Sequence, residues 1–234
     1  MIALVLIIII IPTCEILGAG TEAMIKKTLI FDFDGTIADT HLFLCEIYNS
    51  FCAEYRCKPI DLVRLDEYKE KNASQIIKTL DVPILKIPAM IARAKGHFQH
   101  HMDEIKTFAG IEEAIHSLKG QGYTLGIVSS NTSHNIHKFL QAHALDVFDF
   151  IHSTNRVFGK SFAIKKLLHE LHTPLEDAVY IGDEIRDIEA GKKLGLKVIA
   201  VTWGYNLKSA LKSYGPDYLV DTPEELLKLV DGLS

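Results

Sequence analysis

Carboxylates, hydroxyls and one lysine recur in this chain at the ends of short apolar runs. Asp32 and Asp34 close the run at 28–33, Ser129, Ser130 and Asn131 follow the run at 123–128, and Asp183 follows 178–181. Lys160 lies in a loop after a further run at 148–152. Carboxylate oxygens are the ligands that Mg2+ prefers, and two or three of them leave positions for water and a phosphate. A carboxylate can also attack phosphorus, and a second one nearby can give or take the proton of the ester oxygen. Lysine and serine can hold the oxygens of a transferring phosphoryl group. A carboxylate placed in an apolar run needs a cation or hydrogen bonds in return, so Asp32 is hard to read as a bystander. The set reads as a phosphoryl-transfer site.

Such groups converge only if their runs lie side by side. The runs at 28–33, 123–128, 178–181 and 196–201 are short and rich in β-branched residues, and polar or glycine residues follow them. Helical patterns at 111–119, 133–143, 161–171 and 185–193 separate the later runs. This alternation predicts an α/β fold, a doubly wound, Rossmann-like parallel sheet covered on both faces. In open sheets of this kind, ligands bind beyond the carboxyl ends of the strands. Between the first run and the second lie about 65 residues with helical stretches at 42–55, 61–71, 73–80 and 89–102 and no convincing strand. An interruption of that length predicts an inserted all-helical cap, residues 41–106, in a core of 27–40 and 107–234.

Asp32-Phe33-Asp34-Gly35-Thr36 resembles the DxDGT signature of the haloacid dehalogenase-like (HAD) superfamily. Ser129, Lys160 and Gly182-Asp183-Glu-Ile-Arg-Asp187 follow in the order of that family's other motifs, and the likeness runs from Lys26 to the C-terminus. The resemblance implies Asp32 as nucleophile and Asp34 as general acid/base. It implies Mg2+ held by Asp32, the main-chain carbonyl of Asp34, and Asp183. Asp187 would support the metal or Lys160, with Gly35 and Thr36 shaping the loop. Ser129, Ser130, Asn131 and Lys160 would bind the phosphoryl group. The name-giving dehalogenases lack an Asp at the position of Asp34, so its presence favours phosphoryl transfer. Many relatives have Gly-Lys-Pro where this chain has Gly159-Lys160-Ser161-Phe162. The expected activity is hydrolysis of a small phosphorylated metabolite through an aspartyl phosphate, with phosphoglycolate as the first guess. VTWGYN, residues 201–206, resembles phosphoglycolate phosphatase-like members, although a packed loop is the simpler role. A phosphomutase, a phosphonatase with a cap lysine, and a non-catalytic phosphate-binding protein are the alternatives.

Composition narrows the partners. The 234 residues are 48% hydrophobic and 24% charged, with a formal net charge of −5. That is ordinary globular composition. No concentrated basic stripe is present, which argues against a nucleic-acid partner. The four cysteines form no CxxC pair and read as buried or idle thiols. His97, His100 and His101 lack the HExxH glutamate and read as surface residues. Residues 1–26 form an extension that begins with an apolar run, Met1 to Ile11. As a helix the run would be about 16 Å long, roughly half a bilayer core, so no stable membrane span is expected. Either synthesis begins at Met24, giving a cytoplasmic protein, or the run is a signal region with Gly18-Ala19-Gly20 as cleavage site and the protein is exported. An exposed cap face leaves a homodimer open.

Overall fold

The computed structural model describes residues 27–102, 104–154 and 159–233. The N-terminal apolar run, with its competing start and signal readings, lies outside them. Six strands form one sheet: β1 (Thr28–Phe31), β2 (Thr124–Ser129), β3 (Phe150–Ser153), β4 (Ala178–Gly182), β5 (Lys197–Val201) and β6 (Tyr218–Val220). Their order is β3-β2-β1-β4-β5-β6, and every pairing is parallel. This is a doubly wound α/β fold, and the order reverses between β1 and β4, where ligands of such sheets bind.

Side chains on β1 alternate between the two faces, as a strand requires. Leu29 and Phe31 join a cluster with α5 (Ile111–Gly120) and α6 (Ser133–Ala142), whereas Ile30 joins one with α7 (Lys160–Glu170). Both faces are therefore covered, which explains why the strands read as continuous apolar runs rather than alternating ones. Phe31 is in register with Ile127 of β2 and Ile181 of β4. The three strands thus end at nearly the same height.

Between β1 and α5 the chain is helical wherever it is regular: α1 (His41–Phe51), α2 (Leu65–Lys69), α3 (Ala73–Thr79) and α4 (Ile87–His100), with short 3-10 turns. Asn72 caps α3 through a reciprocal pair with Gln75. Cys45, Cys52 and Cys57 are buried free thiols. The remaining helices are α8 (Ile185–Leu194), α9 (Lys208–Ser213) and α10 (Pro223–Asp231). Among the described residues no helix is long and apolar enough to cross a membrane.

Candidate active site

β1 ends on Phe31, and the Asp32 N–H still donates to the Ile181 carbonyl at 2.8 Å. That bond anchors the next residues beside β4. The chain then turns tightly: the Gly35 N–H donates to the Ala38 carbonyl at 2.9 Å. Gly35 has φ +79°, and a Cβ there would lie 2.2 Å from Oδ2 of Asp183. Glycine is needed both for the backbone conformation and for the approach of that carboxylate.

Each oxygen of the Asp32 carboxylate has a donor. Its Oδ1 accepts from the Phe33 N–H at 2.8 Å and its Oδ2 from Lys160 Nζ at 2.6 Å. Lys160 also donates to Asp187 at 2.5 Å, and the other Asp187 oxygen accepts from the Glu184 N–H at 3.0 Å. Lys160 opens α7 one residue before the expected helix start, and it is buried between the two carboxylates. Residues 155–158, just before it, lie outside the described residues.

Asp183 accepts from Thr36 Oγ1 at 2.8 Å and from the Tyr205 N–H at 2.7 Å. One oxygen each from Asp32, Asp183 and Asp187 lies within 4.8 Å of the others. The Asp34 carboxylate stands outside that trio. It accepts from Asn131 Nδ2 at 3.3 Å and faces a cavity shared with Ser130, Glu184, Arg186 and Tyr205. Ser129 is fully buried, and its Oγ accepts from the Asn131 N–H at 3.0 Å. The sequence-predicted residues therefore come to one edge of the sheet, with Asp34, Ser130 and Asn131 open to the cavity. His97 and His101 join no metal-ligand cluster among the described residues; the His100 side chain lies outside them.

Burial, only partly offset by Lys160, pushes the Asp32 carboxyl up. Burial and then Asp32 raise Asp34 to about 6. Asp183 is held well above the usual carboxylate range by burial, then by Glu184, Asp187 and Asp32. Asp32, Asp34, Asp183, Glu184 and Asp187 outnumber the neighbouring cations Lys160 and Arg186, which leaves surplus negative charge in a dry place. All-oxygen donors with such a surplus fit a hard divalent cation.

Several residues of this edge had no individual role assigned by the motifs. Arg186 pairs with Glu184 at 2.5 Å beside the cavity. Gly204 comes so close that a Cβ would lie 2.3 Å from the Gly35 carbonyl oxygen. Asn206 accepts from the Ile185 N–H at 2.9 Å and donates to the Lys69 carbonyl at 2.7 Å. The VTWGYN loop is thus packed, as expected, but it also holds Asp183 and meets the helical insertion. The glycine in that motif was the available signal.

The sequence profile of the "Haloacid dehalogenase-like hydrolase" family matches residues 29–201, so the chain belongs to that family. A phosphoglycolate phosphatase from Synechococcus elongatus is 29% identical over 208 residues, covering 88% of this chain and 98% of the relative. Pyrophosphatase PpaX from Bacillus cereus is 27% identical over 214 residues, covering 89% and 98%. A haloacid dehalogenase-like family hydrolase from Streptococcus pneumoniae has the same fold, with a TM-score of 0.73 at 21% identity over 87% of this chain and 98% of that one.

Proposed function

We propose that this hydrolase cleaves a phosphomonoester in two steps, with Asp32 as nucleophile and an aspartyl phosphate as intermediate. The observation that carries the reading is the setting of Asp32: its oxygens are held by the Phe33 N–H and Lys160, while Asp34 stands beside it in the cavity. Asp32 attacks phosphorus, and Asp34 gives a proton to the departing ester oxygen. Asp34 then takes a proton from the water that opens the acyl phosphate. Lys160, Ser129 and the Asp34 N–H steady the phosphoryl oxygens, with Ser130 and Asn131 at the cavity side. Asp187 orients Lys160. Asp32, Asp183 and the carbonyl of Asp34 would hold Mg2+, which supplies positive charge against the phosphoryl oxygens when bound. We divide the chain into a core of 27–40 and 107–234 and a cap of 41–106 that shields the intermediate from bulk water. Phosphoglycolate, the substrate in the name of the cyanobacterial relative, belongs in the first assay.

The test is phosphate release from a panel of phosphomonoesters, with and without Mg2+, for the wild type and Asp32→Asn. The reading expects Mg2+-dependent release that folded Asp32→Asn lacks. Turnover retained by Asp32→Asn, or none by the wild type on a broad panel, overturns it.

A further inference from the structure

The cavity above Asp34 has a volume of about 430 Å³, within the range that holds a medium-sized organic ligand. Its floor is polar: Asp34, Asn131 and the Glu184–Arg186 pair come from the sheet edge. Its roof comes from the helical insertion and is apolar. Leu44, Ile76, Ile77, Met90, Ile91 and Phe98 line it. Leu44 remains 37% exposed, and Ile76, Ile77 and Ile91 are also only partly buried. Apolar side chains left wet around a cavity cost free energy that an apolar ligand would recover.

The charges near this roof suit a second anionic group poorly. Lys95 is the one lysine or arginine that the insertion contributes to the lining. Arg186 gives its Nη2 to Glu184 at 2.5 Å, and its buried, unpartnered Nε belongs to the floor, where the phosphate goes. His41 is kept neutral, since burial and then Lys69 lower its pKa to about 4, so its buried, unpartnered Nε2 offers one neutral hydrogen bond and no charge. A carboxylate or second phosphate seated among these isoleucines would lose its water without adequate partners.

Resting on the phosphatase reading, we infer that the substrate is a monophosphate of an apolar alcohol, its phosphate at Asp32 and its hydrocarbon against Leu44, Ile76 and Met90. The alcohol leaves with the proton that Asp34 gives, and the P–O bond to it breaks as the bond to Asp32 forms. The floor handles the phosphate, which every candidate ester shares. The roof selects the alcohol.

The experiment compares kcat/KM of the full chain with Mg2+ on ethyl, butyl and hexyl phosphate, phosphoglycolate and pyrophosphate. Each added methylene that reaches the roof raises kcat/KM about fourfold, mainly through KM. Hexyl phosphate should therefore exceed both phosphoglycolate and pyrophosphate. Leu44→Ser and Ile76→Ser, at partly exposed positions that tolerate change, should each lower the hexyl-to-ethyl ratio about tenfold. Lys95→Met should hold that ratio within about twofold. Preference for phosphoglycolate or pyrophosphate over hexyl phosphate overturns the inference and leaves the phosphatase reading standing. So does a flat chain-length series, or a ratio that falls with Lys95→Met as far as with Leu44→Ser. Release from none of the esters overturns both readings.

Discussion

The two walls of the cavity handle charge in opposite ways. On the sheet side, Lys160 lies within 2.6 Å of Asp32 and 2.5 Å of Asp187, all three side chains nearly removed from water. On the side of the insertion, Lys58–Asp81, Arg64–Glu67 and Arg93–Glu54 sit on the outer surface, while Leu44, Ile76, Ile77 and Ile91 line the cavity. A buried pair strengthens every electrostatic contact but tolerates no missing partner. An exposed pair is cheap to lose. The proposed function puts reactivity where charge is buried, and the proposed substrate puts selectivity where it is excluded.

The sharpest way to break this contrast is to remove the reacting group. Asp32→Asn should lower phosphate release at least about a thousandfold, since an amide cannot form the acyl phosphate. Single-turnover release on a folded variant checks it. Asp34→Asn should cost about 10²–10⁴-fold with alkyl phosphates. The loss should shrink with 4-nitrophenyl phosphate, whose phenolate leaves without a proton. Equal losses on both esters would remove Asp34 from proton transfer.

Lys160→Met tests the buried charges through stability. It strands Asp32 and Asp187 without their shared cation, at a cost of about 3 kcal/mol or more, so the melting temperature should fall by about 6 °C or more. Asp183→Asn should do the reverse. Its amide can accept from the Tyr205 N–H and, with the Thr36 hydroxyl turned from donor to acceptor, donate to Thr36 Oγ1, so each neighbour keeps one hydrogen bond to the side chain. One buried negative charge disappears from a crowded cluster. Without Mg2+ the variant should melt about 2–4 °C above the wild type. The Mg2+-dependent rise of the wild type should be lost as well. A variant that melts lower would show that charge crowding is not the dominant cost at Asp183, and one that keeps the rise would show that the cluster is not the divalent-cation site.

The same contrast explains what was legible in the residues alone. β1, β2 and β4 announced themselves because strands buried on both faces read as continuous apolar runs, and their polar ends are adjacent in sequence to those runs. The first strand is shorter than its run: Asp32 and Phe33 lie past Phe31, where Phe33 packs edge-on against Phe139 at 5.1 Å. VTWGYN signalled Gly204 and Asn206 as a packed loop but not what they touch, because their partners Gly35, Asp183 and Lys69 are far away in the chain. Tyr218–Val220 is too short for a periodic pattern, although Thr222 and Pro223 do signal the start of α10. The helices of the insertion were readable as amphipathic, but periodicity does not tell an apolar face packed on a neighbour from one that lines a cavity.

The smallest expected effect completes the comparison. Arg93 of α4 reaches Glu54, just after α1, with two guanidinium contacts, one of them Nη2 to Oε1 at 2.8 Å. Its guanidinium also lies 5.3 Å from the Phe51 ring centroid. The geometry is as close as that of Lys160 with Asp32, and the pair spans two helices of the insertion. Yet both side chains are exposed, so water replaces either partner, and holding two long side chains in place offsets the attraction. The buried contacts between α1 and α4, such as Phe51 and Met90, remain when the arginine is cut back. Arg93→Ala should move the melting temperature by less than about 2 °C. A drop as large as that of Lys160→Met would mean that this surface pair, rather than the apolar faces of α1 and α4, holds the insertion together. The division of labour between the two walls would then fail.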